Sequence, residues 1–304
     1  MHVVGIDMKE LKGKVAVITG AGRGIGRGIA LHCAHNSIKI VLAGIGMESL
    51  TRTAADLNSL GAETLIVQTD VSLQEDVERL AERSFATFGA VDLLVNNAGA
   101  QVSGASVYDS TMDDWNWVMG VNFFGVLFAI RAFVPRIIEH NTQAHIVNVA
   151  SLFGIVEATG SYDVSKHAAV ALTESLYHDL AENAPQIKVS VYCPGAVNTE
   201  MYRIGDSRSE RYMGNATEHS AEARSGYKDF INNYGFSVEE AVHVLFEGIE
   251  QDKLYIGPLA YQKQLPKILD VIRERADNIA DERNPEHPRN IGAVISTDER
   301  DKLP

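Results

Sequence analysis

Tyr162 and Lys166 stand four residues apart in the run SYDVSKHAA, a stretch patterned as a helix. Positions i and i+4 share a helix face, so a phenol and an ammonium sit side by side there. An adjacent cation favours the phenolate and lowers the tyrosine pKa. Such a group can give a proton to a forming alkoxide or take one from an alcohol. Of the ten tyrosines, only Tyr162 has lysine at i+4. The pair alone is weak, because Tyr and Lys meet at this spacing by chance; its context has to supply the argument.

That context begins directly upstream. Residues 146–149 form an apolar run that reads as a buried strand, and a polar turn with Ser151 and Gly154 follows. The helix bearing Tyr162 therefore rises from a strand end, with Ser151 at the same end.

The same arrangement opens the chain. Residues 14–19, KVAVIT, read as a buried strand, followed by Gly20-Ala21-Gly22-Arg23-Gly24-Ile25-Gly26 and a helix to about residue 35. Glycines let the backbone approach a pyrophosphate, and the helix N-terminus offers free N–H groups and a favourable dipole. Strand, glycine turn and helix in sequence point to a dinucleotide. A second strand, 38–43, ends in Gly44-Ile45-Gly46. A carboxylate there would hold the ribose hydroxyls of NAD. None is present, and Arg23 lies within reach of a 2′-phosphate; both points lean toward NADP over NAD.

Further strands follow at 64–68, ending in Asp70-Val71, and at 91–95, ending in Asn96-Asn97-Ala98-Gly99. Asp70 suits an adenine amino group or the N-cap of a helix over 73–88. A long helix over 112–140 is expected to kink or break at Pro135 and buries Asn122 among apolar residues. A buried amide is costly without partners, which marks Asn122 as a site residue or as one bonded to backbone. The helix of Tyr162 runs to about 184 and shows Ala168, Ala169 and Ala171 on its outer face. Strand 187–193 leads into Pro194-Gly195-Ala196-Val197-Asn198-Thr199. Residues 200–236 are polar and lack a clean period, so they read as an irregular lid. Ser237 with Glu240 makes a capping box. A short strand at 254–256 and a helix at 264–279 precede a loose tail, 281–304.

The alternation predicts an α/β fold: a single Rossmann-type doubly wound parallel sheet with helices on both faces, one domain over 1–280. With 40 acidic and 27 basic residues the net charge is −13, which argues against nucleic acid and anionic membranes as partners. Two cysteines without a CxxC read as free buried thiols in a reducing compartment, and the histidines lack metal-ligand spacing. The N-terminus lacks a signal-peptide order and no uncharged apolar run reaches spanning length, so a cytoplasmic protein is expected.

Thr19-Gly20-x-x-x-Gly24-x-Gly26, Asp70-Val71, Asn96-Asn97-Ala98-Gly99, Asn122, Ser151, Tyr162-x-x-x-Lys166 and Pro194-Gly195 occur in that order. The chain from about 9 to 260 resembles the short-chain dehydrogenase/reductase family. The resemblance implies Tyr162 as general acid/base, Lys166 on the nicotinamide ribose and lowering the Tyr162 pKa, Ser151 on the substrate oxygen, and Asn122 anchoring a relay water. It implies Gly20, Gly24, Ile25 and Gly26 at the pyrophosphate, Asp70 and Val71 at the adenine, Asn97, Ala98 and Gly99 along the adenosine and ribose, and Pro194, Gly195, Val197 and Thr199 at the nicotinamide. Phe153 and Tyr202 are expected against the substrate, a small-molecule secondary alcohol or its ketone, bulky and lipophilic or aryl-bearing. A homodimer or homotetramer through the two long helices is implied as well. Three features depart from the family pattern: Gly44 and Ile45 at the cofactor-selecting positions, the 11-residue step from Ser151 to Tyr162, which is short for the family, and the long segments after Thr199. The alternatives are a non-catalytic dinucleotide sensor or scaffold, and an epimerase or dehydratase of the same family.

Overall fold

The computed structural model describes residues 12–102, 106–156, 160–214, 221–257 and 265–283. Seven parallel strands lie in the order β3-β2-β1-β4-β5-β6-β7. They are β1 (Val15–Thr19), β2 (Lys39–Gly44), β3 (Thr64–Gln68), β4 (Leu93–Asn96), β5 (Ala144–Val149), β6 (Ile187–Tyr192) and β7 (Tyr255–Ile256). The central strands are mostly apolar because both faces are covered, whereas edge strand β3 ends in the exposed Gln68. Ala16 and Ile18 of β1 face one layer, and Val15 and Val17 face the other.

Helices α1 (Gly24–His35), α2 (Met47–Ser59) and α8 (Val238–Glu250) cover the first face, through Ile29, Cys33, Leu50, Leu57, Leu245 and Ile249. Helices α3 (Gln74–Phe88), α4 (Met112–Met119), α5 (Gly125–His140) and α6 (Ser161–Asn183) lie on the second. Its core holds Leu80, Phe133, Ile137, Leu176 and Leu180. Strand order reverses between β1 and β4, and the crevice at such a switch point is where open α/β sheets bind ligands.

Several expectations need correction. The 112–140 helix does not break at Pro135, which sits inside α5; the departure from α geometry is a π-turn at Gly120–Phe124, which joins α4 to α5. This 29-residue helix is long and apolar enough to cross a membrane by length and composition, yet Val126, Ala129, Phe133 and Ile137 are buried within the fold. Ala169 is fully buried rather than outward-facing, and Val164 and Tyr177 occupy the exposed side of α6. The segment after Thr199 is more regular than its sequence: tight turns at Glu200–Ser207 and Glu210–Tyr212 precede α7 (Ala221–Tyr234). Polar contacts to distant elements replace the missing apolar period there, Arg208 bonding Asp114 and Arg211 bonding Ser72. The capping box of α8 forms as expected, with the Glu240 amide donating to Ser237 Oγ at 3.1 Å. The last helix among the described residues is α9 (Leu265–Ala280), and most of the expected tail, from 284 onward, falls outside them.

Candidate active site

The glycine turn is built on backbone conformations that disfavour side chains: Gly20 has φ +66° and Gly24 +53°. A Cβ on Gly26 would lie 2.3 Å from the Gly20 carbonyl oxygen, and one on Gly22 2.4 Å from Ser49 Oγ. Only glycines let the turn close this tightly at the N-terminus of α1, the end suited to phosphate. The neighbouring turn is stitched to it. Thr19 Oγ1 accepts from the amides of Asn97 (2.9 Å) and Ala98 (3.0 Å), and Asn97 Nδ2 donates to the Thr19 carbonyl at 2.8 Å. The cradle fits a dinucleotide, and Gly20, Arg23, Gly24 and Ile25 line one cleft of about 460 Å³ together with Asn97, Ala98 and Gly99.

Asp70 and Val71 also line this cleft. Asp70 is not the N-cap of α3; Leu73 takes that place. The Asp70 carboxylate instead accepts from the Ser72 amide at 3.0 Å and from its hydroxyl. The turn tightens before the helix begins, so the carboxylate bonds two residues on.

At the other end of the cleft, Ser151 lies two residues beyond β5 and is buried, its Oγ accepting from the Phe153 amide at 3.2 Å. Tyr162 lies in the first turn of α6, half-buried. Lys166 is buried, and its Nζ donates to the Val149 carbonyl at 2.9 Å and lies 5.7 Å from the Tyr162 ring centroid. Burial lowers the Lys166 pKa from 10.5 to about 8, with the nearby Cys193 pulling it up. Cys193 lies beneath, free and buried, its thiol pushed up to about 12 by burial.

Asn122 sits in the π-turn, fully bonded. Its Oδ1 accepts from the Ala100 amide at 2.7 Å, and its Nδ2 donates to the Ala100 carbonyl and to Ser165 Oγ, both at 2.8 Å. Ser165 Oγ donates in turn to the Tyr162 carbonyl at 2.6 Å. The amide thus ties the end of β4 to the helix turn that bears Tyr162. Ser165 was not foreseen; its only sequence signal is its place three residues after Tyr162.

Pro194, Gly195, Val197 and Thr199 also line the cleft, with Thr199 against Gly24 of the glycine turn. Their loop is fixed by a bridge between Val197 and Phe236, in which the Asn198 amide donates to the Phe236 carbonyl at 2.7 Å. Phe153, expected on the substrate, packs instead against Leu152, Val156 and α9 residues Ile268 and Val271. Tyr202 lies in the turn after β6, with its side chain outside the described residues. Trp117, Val121, Arg52 and Ser49 line the cleft unforeseen, since lining depends on how distant elements fold together.

A parallel sheet with a glycine-cradled dinucleotide cleft at its switch point, and with serine, tyrosine and lysine at one end, defines a nicotinamide-dependent oxidoreductase of the Rossmann class. Residues 14–209 match the short chain dehydrogenase family, and the protein belongs to the short-chain dehydrogenase/reductase family as an NAD(P)-dependent oxidoreductase. It is 32% identical over 272 residues to a CLA biosynthesis dehydrogenase/reductase of Lactiplantibacillus plantarum, covering 88% of this chain and 94% of the relative. It is 36% identical over 220 residues to the 1-deoxy-11-beta-hydroxypentalenate dehydrogenase of Streptomyces exfoliatus, covering 71% and 78%. A short-chain dehydrogenase/reductase from Burkholderia phymatum, solved in complex with NAD, superposes with a TM-score of 0.85 at 37% identity, covering 92% of this chain and 99% of that one.

Proposed function

We propose that the protein interconverts a secondary alcohol and its ketone, with Tyr162 moving the proton. The observation that carries this reading is that Ser151, Tyr162 and Lys166 line the same cleft as the glycine cradle and the 194–199 loop. The nicotinamide, when bound, supplies or accepts the hydride. The Tyr162 hydroxyl donates to the nascent alkoxide in reduction and accepts from the alcohol in oxidation. The charged Lys166 stabilises the tyrosinate and can hold ribose hydroxyls. Ser151 Oγ donates to the substrate oxygen and stabilises its developing charge. Asn122 holds the helix turn beneath Tyr162 through Ser165.

The apolar walls at Trp117, Val121, Ala100, Val197 and Met201 support a bulky lipophilic or aryl substrate. So does the relative whose name gives 1-deoxy-11-beta-hydroxypentalenate. For the cofactor we favour NADP over NAD: no carboxylate follows β2, and Arg23, Arg52 and Ser49 line the adenosine end of the cleft. We read residues 200–236 as the substrate lid of a single domain over 1–280. Met112, Phe124, Val164 and Tyr177 leave the long helices with exposed apolar residues, which supports a homodimer or homotetramer. Two buried free thiols agree with a reducing, cytoplasmic compartment.

The test is a panel of secondary alcohols and ketones assayed with NAD and NADP in parallel, on the wild type and Tyr162→Phe. Turnover is expected to fall by about 100-fold or more in the variant while dinucleotide binding persists. Full turnover by Tyr162→Phe overturns the assignment.

A further inference from the structure

Residues 200–214 connect the loop at one end of the cleft to the adenine loop at the other, and two arginines fasten them. Arg208 reaches α4: its Nη1 donates to Asp114 Oδ1 at 2.6 Å and its Nε to the Tyr212 carbonyl at 2.7 Å. Its guanidinium lies 4.9 Å from the Trp117 ring centroid. The pair is closed to water, with side chains 4% and 0% exposed. Tyr212 enters the space left by Gly120, the first residue of the π-turn, where a Cβ would stand 3.0 Å from the tyrosine oxygen.

Arg211 fastens the same segment elsewhere. Its Nη2 donates to the Ser72 carbonyl at 3.1 Å and to Ser72 Oγ at 2.8 Å. Ser72 is the residue whose amide and hydroxyl hold the Asp70 carboxylate. Met201, Arg203 and Ser209 of this stretch line the cleft with Thr199, as does Trp117 under Arg208. Arg208 Nη2 is buried with no partner among the described residues.

We infer that Arg208 and Arg211 are positioning residues that pin residues 200–214 across the dinucleotide cleft, so that parting of these pins sets how fast the dinucleotide leaves. The inference rests on dinucleotide binding in this cleft and not on the substrate or on the acid/base assignment. It is therefore tested without turnover.

The experiment is stopped-flow release of NADH and NADPH from the full-length protein, read by the fluorescence of the reduced nicotinamide. Arg211 is exposed, so Arg211→Met is expected to fold. It should release dinucleotide about tenfold faster, the effect of losing one charge-assisted hydrogen bond. Removing one member of the buried pair strands a charge, so the Arg208→Met/Asp114→Leu double variant is used for the second pin. It should also release faster, and combining it with Arg211→Met should add to the effect. A merely structural contact would lower the melting temperature and leave the release rate unchanged. Release within twofold of wild type in a folded Arg211→Met overturns the inference, whether or not the double variant folds.

Discussion

The Arg275 guanidinium donates to Nε2 of His167 at 3.0 Å, while Nδ1 of the same ring lies 2.9 Å from the Asp163 carbonyl. A carbonyl can only accept, so Nδ1 carries the proton and Nε2 offers its lone pair to the arginine. His167 follows Lys166 in sequence, and Arg275 belongs to α9, outside residues 14–209 of the family match. Ile268 and Val271 of α9 pack on Leu152 and Val156 after Ser151. The C-terminal helix thus braces the short step from Ser151 to Tyr162 on both sides.

Arg275→Met keeps the packing stem and removes the hydrogen bonds to His167 and to the Val156 carbonyl. It should lower stability by about 1–2 kcal/mol and reduce kcat/KM for the substrate several-fold, with dinucleotide affinity unchanged. Urea denaturation, steady-state kinetics and a cofactor titration check it. An equal loss of cofactor affinity would show that α9 braces the whole cleft rather than its substrate end.

Lys166 makes stability depend on alkaline pH. Its pKa is lowered in the folded chain to about 8 from 10.5. Between those values the unfolded chain binds the extra proton, so this residue makes stability rise with pH across that window. Below pH 8 both states are charged and the burial cost is present in full. The rise is at most about 3 kcal/mol. Subtracting the pH-stability curve of Lys166→Met from that of the wild type isolates it, and a flat difference between pH 8 and 10.5 refutes it.

Two glycines of α1 separate site from scaffold. A Cβ on Gly26 meets the Gly20 carbonyl at 2.3 Å and Asn97 Nδ2 at 2.5 Å, so Gly26→Ala must push backbone apart inside the cradle. A Cβ on Gly28 meets Val238 Cγ1, also at 2.3 Å, but on the α8 side and away from the cradle. Gly26→Ala should weaken dinucleotide binding by more than about tenfold. Gly28→Ala should destabilise by about 1–3 kcal/mol with binding close to wild type. Calorimetric titration beside thermal melts distinguishes the two.

Asn122→Ala leaves both the amide and the carbonyl of Ala100 without their partner and frees Ser165. A loss of about 2–4 kcal/mol is expected, together with lower kcat as the turn bearing Tyr162 loosens. Denaturant unfolding measures the first and turnover the second. A variant as stable as wild type would show that the amide does not hold the β4 end to α6.

What the sequence determined by itself was local: strand, turn and helix recur, and each recurrence is written in a short apolar run, a glycine or small polar turn and a helical period. Gly20, Gly24 and Gly26 are legible because no other residue fits the turn, and Ser237 with Glu240 because a capping box spans only four residues. Tyr162 and Lys166 are legible because a helix places i and i+4 together. The tertiary structure decided what depends on distant segments meeting. The chain does not state locally that Asn122 finds Ala100, that Phe153 turns toward α9, or that Arg208 pairs with an aspartate 94 residues away. Nor does it state that the long helix leaves α geometry at Gly120 rather than at Pro135. Hydrogen bonds and burial of that range are chosen by the packing of the whole sheet and its helices, and no periodicity in a short window carries them.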